Sequence, residues 1–195
     1  LKNLIFLKFK IENLKGTVLI LQKYKIVFGG KMGAGKTEAI QSLSETTVFS
    51  TEALNTDQDA HSKALTTVGI DYGEIKIEDD VVVGLYGTPG QERFDFLWPV
   101  ICEGALGAIV LIDHSSRTAI DDLAYYVEIF SKFVSNMIIG ITHVDEDPQQ
   151  LLKKYRNWLQ MRNIDSPIFA MDARKKDDVL LLVEVLIARA EVQYL

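Results

Sequence analysis

Gly30-Lys31-Met32-Gly33-Ala34-Gly35-Lys36-Thr37 fills the pattern G-x-x-x-x-G-K-[ST] without a gap. The run before it, Tyr24-Lys25-Ile26-Val27-Phe28, is short, apolar and β-branched, as a buried strand is. The run after it, Thr37-Glu38-Ala39-Ile40-Gln41-Ser42-Leu43, sets Ile40 and Leu43 on one helical face. Strand, glycine loop and helix in that order make an anion site. Glycines let the backbone N–H groups turn inward, and the helix N-terminus adds its positive end. Lys36 is then placed to reach the β- and γ-phosphates of a nucleotide, and the Thr37 hydroxyl to ligate Mg²⁺. A bare glycine-rich turn matches the pattern by chance, but without the flanking strand and helix.

Composition bounds the rest. The 195 residues are 48% hydrophobic and 25% charged, which suits one globular core. A net charge of −6 argues against a nucleic-acid partner held by a basic face. Cys102 is the one cysteine, so no disulfide framework or cysteine zinc site is expected and a cytoplasmic location is. Its apolar neighbours mark it as a buried residue. Neither end carries a myristoylation or prenylation motif, and no apolar run is long enough to span a membrane.

Residues 1–22 form an N-terminal extension with two competing patterns. Leu4, Leu7, Ile11, Leu14, Val18 and Leu21 suit an amphipathic helix. Leu7, Phe9 and Ile11 also alternate with Lys8, Lys10 and Glu12, and Asn13-Leu14-Lys15-Gly16 turns into Thr17-Val18-Leu19-Ile20, which suits a β-hairpin. A start-site extension without chemistry is compatible with the second. From residue 23 to 195 the chain reads as one domain in which strands alternate with helices. Strands are expected at 24–28, 68–77, 81–86, 106–112, 137–142 and 168–171, and helices near 37–45, 95–103, 118–134, 148–162 and 177–192. Glu78-Asp79-Asp80 is a tight polar turn, so the second and third of these strands pair antiparallel. Such alternation predicts a mixed, mostly parallel α/β sheet of about six strands with about five helices on both faces. Ligands gather at the carboxyl ends of its strands.

Four further motifs fall at those ends or on the segment leading into the sheet. Thr66-Thr67-Val68-Gly69 follows an uncertain polar segment at 47–65. Tyr86-Gly87-Thr88-Pro89-Gly90-Gln91-Glu92-Arg93-Phe94 follows the third strand, Ile141-Thr142-His143-Val144-Asp145 ends the fifth, and Met171-Asp172-Ala173-Arg174 ends the sixth. Over residues 23–193 these motifs and the glycine loop resemble the Ras-like small GTPases, and most closely the bacterial and archaeal MglA-type branch, which includes relatives of the signal-recognition-particle receptor β subunit. The resemblance implies a P-loop NTPase fold that binds GTP and GDP with Mg²⁺, hydrolyses GTP slowly, and has two loops whose order follows the γ-phosphate.

Site roles follow from the resemblance residue by residue. Gly30, Met32, Gly33, Ala34, Gly35, Lys36 and Thr37 cradle phosphates. Thr37 and Thr67 hold the metal, and Gly90 meets the γ-phosphate. Gln91 orients the attacking water, with Lys36 and Thr67 stabilising charge. Thr142, His143 and Asp145 recognise guanine, Asp145 accepting from N1–H and N2–H. Asp172, Ala173 and Arg174 close the base site, with the Ala173 N–H on O6. The implied partners are a Roadblock/LC7-type regulator and unidentified effectors, with recruitment to a membrane or cell pole through them.

Three departures carry consequences. Gly87 replaces the aspartate that most small GTPases use to hold the metal's water shell, so metal affinity is expected to be lower unless Asp71 or another carboxylate compensates. Thr142 replaces an asparagine and is expected to lose that amide's bridging. Met32 replaces a glycine and crowds an arginine supplied from outside. Arg93 is read as a loop-ordering or partner-facing residue rather than an internal arginine finger. Phe94, Phe96 and Trp98 are read as a hydrophobic patch beside Gln91. His61 and His114 are read as loop or strand-end residues. The alternative to a cycling GTPase is a GTP-dependent interaction module with little hydrolysis.

Overall fold

The computed structural model describes residues 7–14, 17–50, 69–78, 81–145 and 147–193. Among the described residues, eight strands form one sheet: β1 (Leu7–Leu14), β2 (Thr17–Gly29), β3 (Phe49–Ser50), β4 (Asp71–Glu78), β5 (Val81–Gly87), β6 (Gly107–Asp113), β7 (Met137–Thr142) and β8 (Ile168–Ala170). The order is β3-β4-β5-β2-β6-β7-β8, with β1 paired to the first part of β2. From β5 to β8 the pairs are parallel, while β4 runs antiparallel to β5 as the polar turn predicted. The α/β class therefore holds, with a sheet two strands wider than expected.

The extra width has identifiable sources. β1 and β2 form a hairpin, with Leu14 opposite Thr17, so the helical pattern is not the one adopted. Strand β2 continues without a break through the expected 22/23 boundary, because Leu21-Gln22-Lys23 contain neither Gly nor Pro to end it. The other addition, β3, is two residues long and falls in the segment left uncertain.

Among the described residues, five α-helices cover the two faces. α1 (Lys36–Leu43) and α5 (Lys176–Gln193) pack Ile40, Leu43, Leu182, Val183 and Leu186 against Phe28, Leu85 and Ile109. On the other face, α2 (Trp98–Cys102), α3 (Ala119–Phe130) and α4 (Pro148–Gln160) bury Trp98, Leu123, Phe130, Leu152 and Tyr155 over Val27, Val110 and Ile139. The helix expected at 95–103 is shorter. A 3₁₀ turn occupies Glu92–Leu97, and the α-helix starts only at Trp98. Pro99 explains this, since it fits a first helical turn but not a helix interior. Trp98 is also not part of a surface patch: it is fully buried and stacks on Phe130 at 5.4 Å. Cys102 is buried as expected, and that burial pushes its thiol up to about 11.

Candidate nucleotide site

The loop after β2 folds as its glycines require. Gly30 has φ 136°, and a Cβ there would lie 2.3 Å from the Leu111 carbonyl oxygen. No other residue fits that approach between β2 and β6. Gly35 caps α1 in the left-handed conformation (φ 95°), which leaves the first helical N–H groups uncovered by any side chain. Lys36 folds back over the loop, its Nζ donating to the carbonyls of Gly30 at 2.6 Å and Lys31 at 2.9 Å. Burial pulls its pKa down to about 8, partly offset by the Asp71 carboxylate nearby. A cation this poorly hydrated is stabilised by any anion that enters the loop.

Thr37 and Asp71 define a second feature. The Thr37 hydroxyl donates to Asp71 Oδ2 at 2.5 Å, and the Ser50 hydroxyl donates to Oδ1 at 2.7 Å. Asp71 stands on β4 directly opposite Gly87 of β5. A Cβ built on Gly87 would lie 3.1 Å from the Asp71 Cβ and 3.2 Å from its Oδ2. The Asp71 carboxylate from the neighbouring strand therefore stands in the space a Gly87 side chain would enter. A hydroxyl whose proton is held by a carboxylate keeps its lone pairs free for a cation. One hydroxyl and one carboxylate beside a phosphate loop fit a small hard ion such as Mg²⁺, which keeps waters and arrives with phosphates.

The loop after β5 lies on the glycine loop. Gly90 accepts a hydrogen bond from the Met32 N–H at 3.1 Å, and a Cβ on Gly90 would come within 2.7 Å of Met32 Cα and 2.9 Å of Lys36 Nζ. Gln91 directly precedes the 3₁₀ turn and lines the same cleft. Met32 is 71% exposed, in position to crowd an incoming side chain. Thr67 and His61 lie outside the described residues.

At the other end of the cleft, Thr142 closes β7 with Oγ1 3.1 Å from Ala34 O and 3.3 Å from Ile112 O. The expected loss of bridging is thus partial, because a hydroxyl at this buried point still reaches the glycine loop. His143 follows at φ 55°, its Nδ1 3.0 Å from Thr142 Oγ1 and 3.3 Å from Asp113 Oδ1. Asp145 is exposed and lines the cleft. Arg174 forks onto Asp172, with Nε to Oδ1 at 2.9 Å and Nη2 to Oδ2 at 2.7 Å, which holds the Asp172 carboxyl well below the usual carboxylate range. Ala173 packs against Gly35: its Cβ would be 3.0 Å from a Cβ added there. His114 binds the Tyr155 hydroxyl at 2.8 Å.

One cleft of about 1300 Å³ joins the two ends, lined by Lys36 and Thr37 at one and by His143, Asp145 and Ala173 at the other. Gly30 and Ala34 are not among the residues that line it. Sequence reasoning missed Ser50, Ser115 and Asp113. Asp113 carried a signal, an acidic residue at the end of an apolar strand followed by a histidine and two serines.

This sheet order, the glycine loop and the cleft at the strand ends define a Ras-like P-loop nucleotide-binding protein. Relatives agree with that class. The chain is 28% identical over 138 residues to Ras-related protein Rab-8A of Pongo abelii, covering 67% of this chain and 61% of that one. It matches Ras-related protein Rab-8B of Bos taurus to the same extent. An uncharacterized protein of Methanocaldococcus jannaschii is 31% identical over 98 residues, covering 50% of this chain and 56% of that one. The chain spans about three-fifths of the length of these curated relatives. A family model described as conserved hypothetical ATP binding protein matches residues 47–176, and the chain belongs to that family. Among the described residues no helix is long and apolar enough to cross a membrane.

Proposed function

We propose that the chain is a cytoplasmic small GTPase switch of the MglA-type branch, which binds GTP and GDP with Mg²⁺ and hydrolyses GTP slowly, with residues 23–195 as the GTP-binding domain. The observation that carries this is the single cleft with the phosphate loop at one end and Asp145 and Ala173 at the other. Lys36 and the loop N–H groups bind the phosphates. Thr37 and Thr67, with Asp71 accepting from Thr37, would hold Mg²⁺, which neutralises charge on the phosphate oxygens when bound. Gln91 holds the attacking water, and Gly90 moves off Met32 to meet the γ-phosphate. The loops that then change order are the surface for a Roadblock/LC7-type regulator and for effectors, and Met32 disfavours an arginine inserted by such a partner.

The base is decided by Asp145. Guanine offers it N1–H and the 2-amino group, whereas adenine has no N1–H and would leave the carboxylate desolvated and unpaired. The family description says ATP, so competition between the two nucleotides tests the reading directly. We expect GTP to displace a bound guanine nucleotide at least about tenfold better than ATP. Asp145→Asn should shift preference toward xanthine, whose carbonyl meets the new amide donor. Equal competition by ATP in the wild-type chain would overturn the guanine assignment.

Hydrolysis has its own test. Gln91→Leu keeps the volume and removes both groups that hold water, while Lys36, Thr37 and the loop backbone remain. Single-turnover hydrolysis should fall about tenfold or more with GTP affinity nearly constant, as for an interaction made only in the transition state. Equal rates in the two proteins would favour a GTP-dependent interaction module with little turnover.

A further inference from the structure

We propose that Asp113 is a positioning residue for the nucleotide base, fixing the His143 imidazole as one wall of the base subsite; the proposal rests on reading the cleft as a nucleotide site. Hydrogen-bonding capacity sets the ring's orientation. The Thr142 hydroxyl has one proton, and both backbone carbonyls within reach, Ala34 O at 3.1 Å and Ile112 O at 3.3 Å, can only accept it. Toward His143 Nδ1, 3.0 Å away, Thr142 therefore accepts. The Asp113 carboxylate lies beside the same nitrogen, its Oδ1 3.3 Å away, at ion-pairing distance. Nδ1 thus carries a hydrogen directed at Thr142 with the Asp113 carboxylate beside it, and Nε2 is left as the ring's outward nitrogen.

Asp113 is itself held. Its Oδ1 takes the Ser115 N–H at 2.9 Å and the Ser115 hydroxyl at 2.6 Å, so the carboxylate cannot rotate away without losing both. His143 adopts φ 55°, a left-handed conformation uncommon for a residue with a side chain. The ends of β6 and β7 are in this way joined through Asp113, His143 and Thr142, and Thr142 passes the link to Ala34 of the phosphate loop. The His143 side chain is nonetheless 48% exposed and faces the cleft that Asp145 and Ala173 also line. A flat ring held by one nitrogen, with its remaining surface open, is suited to stack on a planar heterocycle. Because its orientation is set before the ligand arrives, little rotamer freedom is lost on binding. Without Asp113 the ring keeps only the Thr142 contact and samples other rotamers.

The test separates the base from the phosphates. Calorimetry would compare GDP with inorganic pyrophosphate on the wild-type chain, Asp113→Ala, His143→Ala, the double variant and Asp113→Asn. Each alanine variant should lose roughly tenfold in GDP affinity, the double no more than either alone, because both remove the same oriented ring. Pyrophosphate affinity should stay within about twofold in all of them, and Asp113→Asn, whose amide oxygen can still face Nδ1, should recover most of the GDP affinity. Unchanged GDP binding in Asp113→Ala, additive losses in the double, or a parallel loss of pyrophosphate would each overturn the positioning role while leaving the nucleotide site in place. A wild-type chain that binds pyrophosphate but no purine nucleotide overturns the proposal, and one that binds neither overturns the site as well.

Discussion

Lys36→Ala abolishes tight nucleotide binding in the expected result, with a loss of about a thousandfold, or about 4 kcal/mol, in GTP affinity. The size follows from where the ammonium sits. It is 7% exposed and already folded over the loop, so phosphates meet it with little water to displace and little side-chain entropy to lose. Charge-assisted hydrogen bonds are about twice as strong as neutral ones, and on the proposed reading this side chain would reach two phosphates. The free variant should be no less stable than the wild type. Alanine removes a cation that burial has already made costly, as its pKa of about 8 records. Thermal unfolding with and without GTP separates the two effects: the midpoint of the free chain stays or rises, and the ligand-induced shift disappears. Unchanged GTP affinity by calorimetry would remove the phosphate-loop assignment.

The phosphate end was legible in the sequence because its chemistry is local. Gly30, Gly35 and Lys36 act through φ angles and a loop seven residues long, and the strand and helix beside them carry clear periodicities. Strand β7 was read to the residue at Met137–Thr142. What the sequence did not show is register. Counting back across the Glu78-Asp79-Asp80 turn says that β4 pairs with β5, but the ladder shifts between Lys76 and Glu78. That irregularity decides which residue faces Gly87, so Asp71 was one candidate carboxylate among several until the pairing was seen. Asp113 was legible as an acidic residue at a strand end, but its contact with His143 was not, since that depends on β6 and β7 being neighbours. Trp98 misled because an aromatic beside exposed Phe96 looks like surface until α3 is placed over it. The two sequence patterns of residues 1–22 were separable only by seeing that β2 offers a free edge for β1 to pair with.

Moving the carboxylate from β4 back to β5 should first break the metal site and then restore it. Asp71→Gly alone removes the acceptor for the Thr37 and Ser50 hydroxyls, and the Mg²⁺-dependent part of GTP affinity should fall about tenfold to a hundredfold, the usual cost of losing an outer-shell partner. Binding measured in excess chelator should change little, since Lys36 and the loop N–H groups are untouched. Gly87→Asp alone should be worse for the fold. Its Cβ would stand 3.1 Å from the Asp71 Cβ and 3.1 Å from Ile40 Cδ1, with two carboxylates sharing one space in a poorly solvated strand pair. The double exchange, Asp71→Gly with Gly87→Asp, removes both the crowding and the repulsion and returns one carboxylate to the space beside Thr37. Its Mg²⁺ dependence should approach the wild type, and its stability should exceed that of Gly87→Asp alone. Two strand positions in direct contact are where such non-additivity is expected. Mg²⁺ titrations of GTP binding, read beside thermal midpoints for all four proteins, measure the coupling. Additive effects would mean that Asp71 does not stand in for the missing aspartate, and that Gly87 marks a site with no supporting carboxylate.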